Sequence, residues 1–406
     1  MRSIVILGAG TAGTIMANRL RRTLNPEQVA ITVVDRNDRH VYQPGLLFVP
    51  FHPAEAQHLV KPRREFLPQD VDFLEVDAER IEADQNEVLL MNGERLPYDV
   101  LVIATGSRIV PEETPGLVGE AWQRSIFDFY TPEGSARLAQ ALQGWPGGRL
   151  VIHIQEMPIK CPVAPLEFAF LADAHFRHLG MRERVQISYV TPLPGAFTRP
   201  VATRLLGQML QVRDIGVVPE FNTERVDGAS RTLWSFDGRS VPFDLLVTIP
   251  THMGDPLIER SGLGDELGFV PTHPKTLQSR ACPNIFAVGD ATNIAVSKAG
   301  SVAHFEAEVL AENIHRFLRG EPLAEAYDGH TNCFIETGDG KGLLIDFNEQ
   351  VEPLPGTFPV PGLGPLSLLR ESRFNHWGKL AFRWVYWHLL LRGRHIPLVS
   401  TAMSLR

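Results

Sequence analysis

Residues 3–20 read SIVILGAGTAGTIMANRL, and the fold is decided there. Residues 3–7 are short, apolar and β-branched, the composition of a strand buried on both faces. Gly8, Gly10 and Gly13 then form a G-x-G-x-x-G, and a helical pattern follows. A second strand, VAITVVD, ends at Asp35 with Arg36 next, about twenty residues on. Each part has a physical task. Gly8 permits the tight turn, Gly10 lets backbone amides approach a pyrophosphate, and Gly13 allows close helix–strand packing. Asp35 stands where an acid can accept from ribose hydroxyls. The unit predicts a bound dinucleotide.

Two later segments repeat the strand-and-turn theme. YDVLVIATGS, residues 98–107, is an apolar strand ending in the small turn Ala104-Thr105-Gly106. NIFAVGDATN, residues 284–293, is another, with Gly289 and Asp290 at its end. Between them lies a second strand–turn–helix unit. GRLVIHI (148–154) reads as a strand and FAFLADAHFRHLG (168–180) as a helix, joined by QEMPIKCPVAPLE (155–167). That turn has no glycine, and its prolines remove backbone donors. The following strand ends in Thr191-Pro192 rather than an acid. NAD(P)H is therefore not the expected occupant.

The chain has 406 residues, too many for one core, so two or three domains are expected. It is 44% hydrophobic and 21% charged, ordinary for a globular protein, and its net charge of -8 argues against nucleic acid as a partner. No signal-peptide pattern precedes the first strand, and no window reaches about 18 uncharged apolar residues. The expectation is a chain without a signal peptide or membrane span.

Three cysteines are too few for a disulfide framework, and no C-x-x-C metal or redox motif occurs. Cys161 lies at a helix start beside Lys160, where the helix dipole and the ammonium would both favour a thiolate. Cys333, in HTNCFIETGDGKGLLIDF, is by itself an ordinary strand residue, and Cys282 reads as an inert, partly buried thiol.

In the tail, FNHWGKLAFRWVYWHLLLRGRH (374–395), apolar residues recur at helical spacing. They include Trp377 and Trp384, with Trp387 close by. Lys379 and Arg383 lie among them, and no acid follows Glu371. That pattern predicts an interfacial helix, with aromatics at headgroup depth and basic residues toward anionic lipid.

The three strand-and-turn motifs, in this order, resemble the two-dinucleotide-binding-domain flavoprotein superfamily over residues 1 to about 320. K-C-x-x-A-P-x-E at 160–167, SKAGSVAHFEA at 297–307 and the cysteine near 333 resemble the sulfide:quinone oxidoreductase family over nearly the whole chain. They are similar, too, to the flavoprotein subunit of flavocytochrome c sulfide dehydrogenase. The resemblance implies an α/β fold, with two Rossmann-like domains and a C-terminal region of strands and amphipathic helices. It implies an FAD-binding domain from 1–110 and 270–325, a second domain from 111–269, and a redox and membrane region from 326–406. FAD would lie along Gly8, Gly10, Gly13, Asp35 and Arg36, along Ala104, Thr105 and Gly106, and along Gly289, Asp290 and Lys298. No cysteine precedes Cys161, so the FAD would be held non-covalently.

The resemblance further implies that Cys161 and Cys333 flank the flavin and oxidise sulfide to zero-valent sulfur as polysulfide, with Glu167 as the acid. Electrons would pass to a membrane quinone against Tyr42, Pro44, Phe48, Phe334 and Phe347. The protein would be peripheral to a membrane, touching its surface through the C-terminal helix. A homo-oligomer is compatible with the sequence. Many family members carry a third cysteine where this chain has Tyr130, so a two-cysteine cycle is expected. The alternatives are a sulfide dehydrogenase passing electrons to a cytochrome and an NADH:quinone oxidoreductase of the same superfamily.

Overall fold

In this computed structural model the described residues are 1–396 and 398–403. They include the helices α1 (Thr11–Thr23), α2 (Pro132–Leu142), α3 (Ala164–His178), α4 (Pro200–Val212), α5 (Pro256–Arg260), α6 (Gly300–Arg319) and α7 (Arg373–Val385).

A first parallel sheet places its strands in the order Ile285–Ala287, Val100–Ile103, Arg2–Leu7, Val29–Asp35, Asp72–Glu75. Its central strands are apolar throughout because both faces are covered, one by α1 and α6 and the other by a small antiparallel sheet, Ala78–Glu82, Glu87–Leu90 and Arg95–Pro97, with α5. Ile4, Ile6, Val100 and Val102 pack toward α1 and α6, while Val5, Leu7, Leu101 and Ile103 bury against a second cluster. The strand Ile285–Ala287 joins this sheet from far along the chain, so the segment between the two ends folds apart.

That segment builds a second parallel sheet in the order Ile126–Phe127, Leu245–Ile249, Gly148–Ile154, Val185–Val190, Ile215–Val218. The chain is thus α/β with two Rossmann-like units. The strand ends of both sheets carry the turns that sequence singled out, since loops at the carboxyl ends of parallel strands face the crevice where ligands bind.

A four-stranded sheet follows, in the order Thr331–Gly338, Lys341–Phe347, Leu366–Leu368, Gly356–Phe358. Its first hairpin pairs Cys333 with Ile345 and Phe334 with Leu344. Side chains alternate across the pleat. Cys333, Ile335, Ile345 and Phe347 enter the buried cluster that holds α3. Phe334 and Glu336 take the opposite face, toward α7. No helix among the described residues is long and apolar enough to cross a membrane.

Candidate active site

The first glycine turn is shaped by contact on two sides and open on the third. A Cβ at Gly8 (φ +97°) would lie 2.4 Å from the Ala104 carbonyl oxygen, and one at Gly13 would lie 1.8 Å from the Gly8 carbonyl oxygen. A Cβ at Gly10 would meet nothing within 4 Å. The helix α1 begins at this open side with no side-chain cap, so its first amides are available to an anion. Asp35 Oδ2 accepts from the Ala9 amide at 2.7 Å and pairs with Arg63 at 2.6 Å, while Arg36 reaches Asp255 at 3.1 Å. Gly8, Asp35, Arg36, Asp77, Thr105 and Asp255 line one continuous cleft.

Around this crevice several buried polar atoms have no protein partner: Thr105 Oγ1, Ser107 Oγ, His252 Nε2 and Glu306 Oε1. Buried polar groups are normally satisfied, so these mark where a polar ligand or water belongs. Together with the open face of Gly10, they fit an FAD. Gly289 (φ +70°) donates its amide to Glu306 Oε2 at 2.6 Å, which ties the second turn to α6. Burial pushes the Glu306 carboxyl up to about 8. Lys298 Nζ donates to the carbonyls of Asp290 (3.0 Å) and Thr292 (2.8 Å).

Cys161 takes a left-handed backbone, φ +47°, unusual for a residue with a side chain. It is held there from both sides. Its amide donates to Lys298 O at 2.7 Å, and its carbonyl accepts from the Ala164 amide at 2.8 Å. The Tyr130 hydroxyl donates to the same carbonyl at 3.4 Å, and its ring stands edge-on to His252. Tyr130 thus contacts the cysteine loop from the position where the resemblance would place a third thiol.

The acidity expected of Cys161 is not found. The helix begins only at Ala164, and burial pushes the thiol up to about 12, with Glu167 acting in the same sense and Lys379 against it. Lys160 does not reach the thiol; its ammonium donates to Ser107 O at 3.3 Å. Cys333 is buried, and burial lifts its thiol well above the ordinary value, with a thiolate at Cys161 adding to the lift. Both are free thiols, and Cys161 packs against the cluster that contains Cys333. Two cysteines 172 positions apart in sequence (333 − 161) are thus brought to one apolar cluster, Cys333 within it and Cys161 against it. Cys282 is also free and packs elsewhere, beside the first sheet.

Glu167 is only 1% exposed. The strand Thr331–Gly338 is an edge strand, and Glu167 Oε1 accepts the Glu336 amide there at 2.7 Å. The same oxygen is ion-paired with Lys379 of α7. Burial raises the Glu167 carboxyl, opposed by Lys379; burial also works against the Lys379 ammonium, but Glu167 and Glu336 outweigh it and hold its proton more tightly than usual. One turn away, His376 Nδ1 donates to Glu336 Oε2 at 2.9 Å. Glu336 and His376 were not picked out from sequence, though His376, Lys379 and Arg383 share helical spacing.

This contact corrects the reading of Lys379 as a lipid-facing cation. It points inward. Trp387 is corrected likewise: it is 4% exposed, stacked on Phe66 and packed against His40 and Tyr42. Arg383 is half-buried on Glu55 at 2.7 Å. Trp377 and Trp384 do face outward, at 57% and 58% exposure, with Phe374 and Leu380 beside them.

The aromatic wall also divides. Tyr42 is buried against Tyr386 and Trp387, while Pro44 is exposed. Phe48 lies under the Lys379 ammonium, 5.5 Å from ring centre to nitrogen, and Phe334 packs at Gly378 of α7. Phe347 belongs to the other side of its sheet. With Ile159, Pro162, Lys298 and Thr331 it lines a cavity of about 340 Å³ beside both cysteine segments. Phe334 and Phe347 cannot share one pocket wall, because the pleat sends them to opposite faces.

Comparison with known proteins places the chain in context. Residues 2–143 match the family model of pyridine nucleotide-disulphide oxidoreductases. The chain is 27% identical over 396 residues to the mitochondrial sulfide:quinone oxidoreductase of Mus musculus, covering 96% of this chain and 86% of that protein. It is 25% identical over 398 residues to the corresponding protein of Dictyostelium discoideum, with the same coverage, 96% and 86%. The crystal structure of the sulfide:quinone oxidoreductase from Aquifex aeolicus superposes with a TM-score of 0.79 at 20% identity, covering 97% of this chain and 92% of that one. The similarity drawn from short motifs thus extends along nearly the whole chain.

Proposed function

We propose that this chain is a flavoprotein enzyme, a sulfide:quinone oxidoreductase, that oxidises sulfide and delivers the electrons to a quinone at a membrane surface. The observation that carries the reading is that Cys161 and Cys333 are brought to the same apolar cluster. One comes from a turn emptied of nucleotide-binding glycines, the other from a distant edge strand, and Cys161 packs against the buried cluster that contains Cys333.

FAD is the cofactor, held without a covalent bond by the first glycine turn, Asp35 and Arg36, the Ala104–Gly106 turn, and Gly289, Asp290 and Lys298. Once bound, it supplies a two-electron acceptor that can in turn reduce a quinone.

The protein's own work is on sulfur. In the oxidised pair a bond joins the two cysteine sulfurs. Hydrosulfide attacks one of them. A new sulfur–sulfur bond forms, the old one breaks, and the other cysteine leaves as a thiolate. Burial disfavours that thiolate, and Lys379 is the cation whose charge offsets the penalty at both sulfurs. Glu167, lifted by burial, is the group that can take up the persulfide proton. Loss of two electrons closes the sulfurs into a bridge that keeps the added atom, and repeated turns lengthen it to a polysulfide. The cavity of about 340 Å³ beside the cysteine segments is the route for sulfide and product. It is far larger than one hydrosulfide needs, since a water-sized species takes about 30 Å³.

The quinone approaches on the opposite face of the C-terminal sheet, between Phe48, Phe334 and α7. The outward row Phe374, Trp377, Leu380 and Trp384 seats this helix at the lipid surface, so the protein is peripheral to the membrane.

The test is reduction of a short-chain quinone by the purified flavoprotein, with sulfide and with NADH as separate donors. Sulfide supports turnover and NADH does not. Turnover with NADH and none with sulfide would replace this reading with the NADH:quinone one.

A further inference from the structure

The cysteine turn is bolted to the segment that follows Gly289-Asp290 by a backbone bridge between Lys160 and Lys298. Residues so paired project to the same side. Lys160 Nζ reaches Ser107 O at 3.3 Å, just past the Ala104–Gly106 turn. Lys298 Nζ reaches Asp290 O and Thr292 O, just past the strand Ile285–Ala287. Both ammonium groups are thus pinned by carbonyls at the carboxyl ends of neighbouring strands of the first sheet.

Neither has a carboxylate within ion-pair distance among the described residues. Lys298, 6% exposed, sits instead over the Phe269 ring at 4.0 Å. Asp290 is the acid that acts most on both lysines, and both act on it; Glu306 and Asp265 act further on Lys298, and Asp128 on Lys160, none of them within ion-pair distance. Burial holds both ammonium groups below the usual lysine range. A cation kept in a low-dielectric crevice without a paired anion is costly, and it is retained where a ligand brings the negative charge.

The reaction produces such a charge. Hydrosulfide passing to zero-valent sulfur releases two electrons and one proton. A neutral oxidised flavin that takes up both becomes a singly charged anion. The S–H bond is lost and one N–H bond is gained, so charge and atoms balance.

We propose that Lys160, with Lys298, forms an anion-stabilising pair that favours the reduced, negatively charged form of the bound flavin. The inference rests on the FAD part of the reading above. It gives Lys160 a task directed at the cofactor rather than at the neighbouring Cys161 thiol.

The experiment is an anaerobic dye-equilibrium titration of the FAD-loaded protein, reduced enzymatically in the absence of sulfide. Lys160→Met shifts the reduced-to-oxidised ratio at fixed potential about tenfold toward oxidised, about 30 mV for a two-electron couple. Lys160→Arg stays within about twofold of wild type, by the same conversion. Lys160→Gln is measured alongside, so that poor folding of one variant leaves the other to decide. An unchanged ratio in the uncharged variants overturns the proposal. So does an equal loss of FAD affinity in both redox states, which would assign Lys160 to the cofactor's pyrophosphate. The titration needs neither sulfide nor cysteine chemistry. An unshifted potential in an enzyme that oxidises sulfide therefore sinks the lysine pair alone. A shifted potential in an enzyme inert to sulfide sinks only the sulfide reading.

Discussion

Cys161 shows what a residue's chain neighbours do and do not reveal. Its place in a glycine-free turn was legible, and so was its separation from any local cysteine motif. Its protonation was not. Sequence proximity suggested a helix dipole and a lysine, but the helix starts at Ala164, the lysine turns to Ser107, and burial dominates. Burial is a property of the assembled fold, and the strings around position 161 do not contain it.

Glu306 makes the same point with a measurable consequence. It lies in a helical run that reads as ordinary, yet it is fully buried under the Gly289 amide, with one oxygen unpartnered. Its carboxyl is raised by burial to about 8 from an ordinary 4.5. A raised acid binds its proton in the folded state while the unfolded chain has lost it. Its contribution to stability is therefore complete below the unfolded value and is lost as pH rises through the folded one. The protein's Tm is expected to fall between about pH 5 and pH 8 on this account. Glu306→Gln, which keeps the acceptor for Gly289, flattens that slope. Thermal melts of both proteins across the range check it, and parallel slopes would show that another group titrates.

At the scale of elements, α7 carries two stripes. Phe374, Trp377, Leu380 and Trp384 form the outward one; His376, Lys379 and Arg383 form the inward one. Helical spacing made the outward stripe readable. The inward one was misread as lipid-facing, because its acidic partners, Glu55, Glu167 and Glu336, lie on other elements. A helix without acids of its own is not thereby a helix with unpaired bases.

The Glu167–Lys379 pair gives this arrangement an energetic test. Lys379→Met leaves a buried carboxylate alone and costs about 3–5 kcal/mol of stability. Glu167→Gln with Lys379→Met removes the stranded charge and recovers most of it. Urea unfolding of the single and double variants measures the coupling; additive losses would mean that the two side chains do not pair.

For the whole molecule, the two parallel sheets were readable because apolar strands, glycine turns and helical runs are local signals. The C-terminal sheet was not, since its order depends on pairings between segments with no shared pattern. Its hairpin register decides which side chains share a face. Without the Cys333–Ile345 pairing, Phe334 and Phe347 looked like companions, and the register separates them. The same register turns Cys333 toward α3 and the Cys161 loop, away from α7 and its outward aromatic row. Cys333 and the outward aromatic row of α7 thus fall on opposite faces of one thin sheet, with the Glu167–Lys379 pair joined around its free edge.

The central claim is that these two cysteines pass electrons from sulfide to the bound flavin. The most direct measurement is an anaerobic sulfide titration of the flavin's visible absorption in wild type, Cys161→Ser and Cys333→Ser. All three are expected to retain FAD and to bleach with dithionite, and only wild type bleaches with sulfide. Bleaching of both serine variants at the wild-type rate would contradict the account.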